Sequence, residues 1–146
     1  MVITDFSSKI VFLDTAPLIY FIEGNSQYQE ILSKLFALND KAGFSFITSS
    51  ITLLEVLVKP IKDGKFEIAQ QYREMLTKAS GIDILDVTTA IAEGAAKLRA
   101  RHNLRTPDAI QLATSIESRS DYFLTNDMHM KSISSVKVIT LGELQL

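Results

Sequence analysis

Four apolar residues in unbroken succession, Ile10-Val11-Phe12-Leu13, end abruptly at Asp14. A run of branched and aromatic side chains with no polar alternation predicts a strand buried on both faces. Such strands belong to parallel sheets covered by helices. The rest of the chain keeps the rhythm that a parallel sheet needs, short apolar runs alternating with longer helical patterns. Further strands are predicted at 44–48, 82–85, 122–124 and 136–139, the last nearer an edge. No repeat, linker or low-complexity tract interrupts them, and 146 residues fit one domain, 1–146.

Helix signals fill the intervals. Pro17 suits a first turn, where its missing N–H costs nothing. Ser26-Gln27-Tyr28-Gln29 and Thr52-Leu53-Leu54-Glu55 both read as capping boxes, and Pro60 reads as the stop of the second helix. Phe66, Ala69, Tyr72, Met75 and Leu76 recur at helical spacing after the Asp63-Gly64 turn, and Ile91, Ala95 and Leu98 do so over 89–101. Thr106-Pro107-Asp108 reads as an N-cap, a first-position proline and an acid in the first turn.

Composition removes several chemistries. The chain has no cysteine and two histidines, His102 and His129. Disulfides, thiol nucleophiles, iron–sulfur clusters and cysteine-ligated zinc are excluded. Both histidines read as surface residues. No glycines lie close enough together for a phosphate-binding or dinucleotide-binding loop. The longest apolar run, residues 16–22, is too short to span a bilayer. Residues 1–5 carry no basic region or signal core, so a cytoplasmic protein without membrane attachment is expected.

Parallel sheets bind ligands at the carboxyl ends of their strands. Asp14 follows the first strand, Asp127 follows the fourth by two residues, Asp108 sits in a first turn, and Glu55 lies in the helix after the second strand. Each has a structural explanation when taken singly: a helix cap, a turn residue, a dipole partner and a capping-box partner. Converging, they would form an all-oxygen site. Crowded carboxylates repel and take up protons unless a cation neutralises them. Hard oxygen donors without histidine or cysteine select Mg2+ or Mn2+, whose chemistry is in-line phosphoryl transfer.

The net charge is −2, and setting these four acids aside tips the remainder slightly positive. The stretch 97–105 carries four bases and no acid just before Asp108. Arg99, Arg101 and Arg105 are therefore candidates for holding phosphates, the alternative being a solvated helix end.

The segments Val11-Phe12-Leu13-Asp14-Thr15, Ser49-Ser50-Ile51-Thr52-Leu53-Leu54-Glu55-Val56, Thr106-Pro107-Asp108-Ala109-Ile110-Gln111-Leu112-Ala113 and Phe123-Leu124-Thr125-Asn126-Asp127 together resemble a PIN domain. Within that family they are similar to the VapC-type toxins and their close relatives. The resemblance runs from Lys9 to about Leu144, and the Asp108 and Asp127 segments are its most specific parts. It implies a three-layer α/β/α sandwich around a mostly parallel sheet and a Mg2+- or Mn2+-dependent endoribonuclease. Asp14, Glu55, Asp108 and Asp127 match the family's acidic, metal-holding positions. Thr15, Thr125 and Asn126 stand beside them in supporting places. The resemblance also implies an RNA substrate, a small antitoxin protein as partner and a homodimer. Apolar helix faces bearing Leu18, Tyr20 and Phe21, or Leu53, Leu57 and Val58, would serve such contacts or simply the core.

Two departures stand out. Many relatives carry histidine where Gln111 stands, and some carry an acid or an aromatic where this chain has Met130 and Lys131. Other readings fare less well. A haloacid dehalogenase-type phosphatase needs a second aspartate where Ala16 stands. A receiver-like domain has no need of Glu55 and Asp108 together. The alternative of a different class is a non-catalytic RNA- or protein-binding module with a residual metal pocket.

Overall fold

The computed structural model describes residues 1–41 and 43–146. Five strands, β1 (Ile10–Leu13), β2 (Ser45–Ser49), β3 (Ile82–Leu85), β4 (Tyr122–Thr125) and β5 (Lys137–Thr140), form one parallel sheet in the order β3-β2-β1-β4-β5. Six helices connect them: α1 (Thr15–Glu23), α2 (Gln29–Asp40), α3 (Ser50–Lys62), α4 (Phe66–Thr77), α5 (Thr89–Arg101) and α6 (Thr106–Glu117). Among the described residues no helix is long and apolar enough to cross a membrane.

The sheet separates two apolar layers, and β1 supplies both. Val11 and Leu13 pack with α1, α2 and α4 through Leu18, Leu35 and Tyr72, whereas Phe12 packs with α5 and α6 through Ile91, Leu98 and Leu112. Alternate side chains point to opposite faces, so an unbroken apolar run is what a central strand requires. Phe12 stacks on Phe123 of β4 with ring centroids 5.1 Å apart. The architecture is the expected three-layer α/β/α sandwich. β5 lies at an edge as predicted, and β3 lies at the other.

The order places a switch point beside β1. From β1 the chain steps to β2 and β3 on one side, then crosses back through α5 and α6 to β4 on the other. Loops leaving β1 and β4 diverge there, opening a crevice at the carboxyl ends. Phe12 pairs with Phe123 and Leu13 with Leu124. The backbone amide of Asp14 continues the ladder to the Leu124 carbonyl at 3.0 Å.

Four local expectations are corrected. Ser26 is not the cap: Asn25 accepts from the amides of Gln27 and Tyr28, its short side chain reaching forward over the turn before α2. Helix α3 starts at Ser50 and is capped by Ser49, whose hydroxyl accepts from the Ile51 amide, so Thr52 lies inside the helix. Pro60 does not stop α3; it sits within the last turn, and the helix runs on to Lys62. Thr106 is the first residue of α6 and Arg105 its N-cap, one place earlier than the Thr-Pro-Asp pattern indicates.

Candidate active site

A cleft of about 380 Å3 opens at the switch point, lined by Asp14, Thr15, Ala16, Ile19, Glu55, Arg105, Asp108, Thr125, Asn126 and Asp127. All four acids named from the sequence line it, as do Thr15, Thr125 and Asn126. They come from four separate connections: the β1–α1 junction, α3, the start of α6 and the loop after β4.

Asp14 is the N-cap of α1, and its Oδ1 accepts from the Thr15 amide at 2.9 Å. Its Oδ2 accepts from the Thr125 hydroxyl at 2.7 Å. That same hydroxyl accepts from the Asp127 amide at 3.1 Å, so one buried threonine joins two of the acids. Asp127 caps the short turn behind it, its Oδ1 accepting from the His129 amide at 2.9 Å. The Thr15 hydroxyl donates to Glu55 Oε1 at 2.8 Å. The Ser49 cap makes this contact available, because it leaves Glu55 in the second turn of α3 instead of folded back in a capping box. Asn126 donates from Nδ2 to the Tyr20 hydroxyl at 3.1 Å.

Charge in the cleft is strongly one-sided. The Asp14 carboxyl is pushed up to about 6, first by burial and then by the charges of Asp108 and Glu55. The Thr125 and Thr15 donors pull it back in part. Arg105 Nε donates to Asp108 Oδ2 at 3.1 Å. The Arg105 guanidinium is raised further by that bond and by the charges of Asp108, Asp127 and Glu55. Of the three arginines named as phosphate ligands, Arg105 alone lines the cleft. Arg99 is turned to the α5–α6 connection, bonding the Leu104 carbonyl at 3.0 Å and the Thr106 hydroxyl at 2.9 Å. Arg101 is exposed on the last turn of α5. His129 is exposed and His102 half-buried.

The floor is held by a buried polar chain that sequence reasoning missed. Gln111 of α6 donates to the Thr52 hydroxyl of α3 at 2.6 Å and accepts from the Ser49 hydroxyl. Thr52 lies 2.8 Å from the hydroxyl of Thr48, which bonds the Leu13 carbonyl at 2.8 Å, next to Asp14. The backbones bearing Asp14, Glu55 and Asp108 are thereby tied together beneath the cleft. A glutamine within the apolar side of a helix is the one local signal of such a network, since burial of an amide requires partners.

The donor set is chemically suited to a hard divalent cation: four carboxylates, hydroxyls and an amide, with one arginine in partial balance. Among the described residues, no three acidic or histidine side chains as they stand are clustered tightly enough to hold an ion.

A family profile described as PIN domain matches residues 11–135. Among curated proteins, none matches. Several solved structures share the fold. VapBC2 from Rickettsia felis, bound to a DNA fragment from its promoter, superposes with a TM-score of 0.72 at 20% identity, over 90% of this chain and 98% of that one. A toxin–antitoxin complex from Klebsiella pneumoniae gives 0.67 at 27% identity, over 90% and 97%. VapC20 from Mycobacterium tuberculosis, a toxin that cleaves the sarcin–ricin loop, gives 0.64 at 17% identity, over 77% and 86%.

Proposed function

The chain belongs to the PIN domain family, and from that premise we propose that it is a Mg2+- or Mn2+-dependent endoribonuclease, the toxin of a VapBC-type toxin–antitoxin pair. The observation that carries this reading is the meeting of Asp14, Glu55, Asp108 and Asp127 in one cleft at the switch point of a parallel sheet. The structural relatives, toxin–antitoxin complexes and a toxin that cleaves the sarcin–ricin loop, support it. In this reading residues 1–146 act as one nuclease domain in the cytoplasm. The substrate is single-stranded or looped RNA, whose backbone can enter a narrow cleft. A small antitoxin is the partner, and the toxin is a homodimer.

Asp14, Asp108 and Asp127 would hold the main cation. When bound, it supplies the positive charge that a phosphodiester needs as its reacting oxygens gain charge. Thr125 keeps Asp14 and Asp127 aimed into the cleft. Glu55, steadied by Thr15, binds a second ion or accepts a proton from the attacking water. Arg105 offers the phosphate a guanidinium. Water, not the ribose 2′-hydroxyl, is the nucleophile and the 3′-oxygen is the leaving group, so products carry a 5′-phosphate and a 3′-hydroxyl.

The test is cleavage of total cellular RNA with Mg2+ or Mn2+, beside an EDTA control and Asp14→Asn. Discrete fragments from the wild type alone, at least about a hundredfold faster than from the variant, are expected if cation placement supplies several kcal/mol. Equal rates would overturn the assignment of Asp14, and 2′,3′-cyclic ends would overturn the mechanism. Bound Mn2+ without any cleavage would favour the alternative, a non-catalytic RNA- or protein-binding module with a residual metal pocket.

A further inference from the structure

Arg105 and Asp108 are an unequal pair. The carboxylate is 20% exposed and the arginine side chain 80% exposed, although they bond at 3.1 Å. Only Nε of the guanidinium is engaged, and its two terminal nitrogens bond nothing among the described residues. The residues on either side are tied down, because Arg99 bonds the Leu104 backbone carbonyl and the Thr106 side-chain hydroxyl. Arg105 is thus a long, solvated side chain on a fixed pivot. Its head is the only cation lining the cleft among the described residues, and the charges of Asp127 and Glu55 also act on it. So exposed an ion pair is weakly held and readily exchanged.

Building on the nuclease reading above, we propose that Arg105 is an exchangeable internal counter-ion, resting on Asp108 in the free protein and passing to the RNA backbone when a divalent cation takes that carboxylate. A divalent cation on the Asp108 carboxylate repels the nearby guanidinium and draws on the charge that holds it, so the single, exposed Nε bond gives way. Release frees a planar fork whose donors suit two oxygens of one phosphate. Arg105 therefore competes with the cation while the cleft lacks substrate and works beside it once RNA is present. Substrate and cation then bind more tightly together than either does alone.

The test measures Mn2+ binding to the free protein by electron paramagnetic resonance, for wild type, Arg105→Gln, Asp108→Asn and Lys34→Gln. Lys34 is a charge control on α2, away from the cleft. Arg105→Gln is expected to bind Mn2+ about two- to fivefold more tightly, the scale of losing an exposed ion pair. Lys34→Gln should match the wild type. Binding of a labelled single-stranded RNA is followed in parallel, with Mn2+ present, in the Glu55→Gln background, where cleavage is suppressed and the three acids assigned to the main cation are intact. There Arg105→Gln should weaken binding and lower the salt-dependence slope by about one. Unchanged or weaker Mn2+ binding by Arg105→Gln, with Asp108→Asn impaired, would overturn the exchange and leave the nuclease reading standing. Wild-type Mn2+ binding by Asp108→Asn would overturn the cation site itself, and the exchange with it.

Discussion

The Thr125 hydroxyl at the end of β4 donates to the Asp14 carboxylate at the end of β1, over 2.7 Å and across 111 residues of sequence. It is buried, and it pulls the Asp14 carboxyl down against the burial that pushes it up. Thr125→Val keeps the shape and removes the donor. Asp14 should then titrate above its present value of about 6, and the rising limb of the pH–rate profile should move to higher pH. Cleavage near neutrality should fall roughly two- to fifteenfold, the loss of ionised Asp14 expected when a hydrogen bond to a charged group, about 1.5–3 kcal/mol, is removed. Thr125→Ser should restore the profile. An unchanged limb in Thr125→Val would rule out this control of Asp14.

Asp14 also sets a pH dependence of stability. Its carboxyl moves from an ordinary 3.8 to about 6 in the folded protein, so the folded state holds the proton more tightly than the unfolded one. Its contribution is most favourable below about pH 4, declines as pH rises to about 6, and is constant above. That displacement is worth about 3 kcal/mol. In EDTA, Asp14→Asn should be the more stable protein at pH 7, by up to that amount, and the two should converge near pH 4. Urea melts at both values test this; an equally or less stable Asn variant at pH 7 would contradict it.

Gln111 holds α6 to α3 through Thr52 and Ser49. Replacing it by leucine fills the space but leaves buried hydroxyls short of partners. The expected loss is about 1–3 kcal/mol in urea melts, with a weaker Mn2+ site, because Asp108 and Glu55 are no longer held in register. Full stability in Gln111→Leu would show the network to be dispensable.

Leu54, Val58 and Ile61 follow one face of α3 and are each at least half exposed, and Phe66 at the start of α4 is 71% exposed. Clustered exposed apolar side chains of this kind mark protein contacts. If the homodimer uses this face, light scattering should find the wild type at twice the 16.2 kDa chain mass. Leu54→Glu combined with Val58→Glu should run as a monomer with unchanged circular dichroism. A wild-type monomer, or a dimer indifferent to these changes, would remove α3 from the interface.

A divalent cation that binds only the folded state should raise Tm with concentration. We expect the gain from Mn2+ to be larger at pH 7.5 than at pH 5, because Asp14 must give up its proton to serve as a ligand. Equal gains at both pH values would separate the cation site from Asp14.

Much of this was readable from local patterns. An apolar run long enough to be buried on both faces defines β1, and the polar residue that ends it must face the sheet's carboxyl edge, which locates Asp14. The same logic locates Asp127 after β4. Asp108 follows from a proline and an acid in a first turn. These signals are local because strand burial and helix starts depend on residues within one or two turns of each other.

What the chain's order alone left open was settled by packing between distant elements. Thr52 looked like a cap, but the Ser49 hydroxyl is nearer the free amides of α3, and this frees Glu55 to meet Thr15. Three arginines looked alike, but the α5–α6 turn takes Arg99 for its own carbonyl, leaves Arg101 on the surface and turns Arg105 to Asp108. Above all, β4 lies beside β1 because the crossover through α5 and α6 returns past the starting strand. That return brings Thr125 to Asp14 and makes one cleft from four acids. The sequence determined which residues end the strands and start the helices; the tertiary structure decided which ends are neighbours, because strand order and helix facing are set by packing among segments a hundred residues apart.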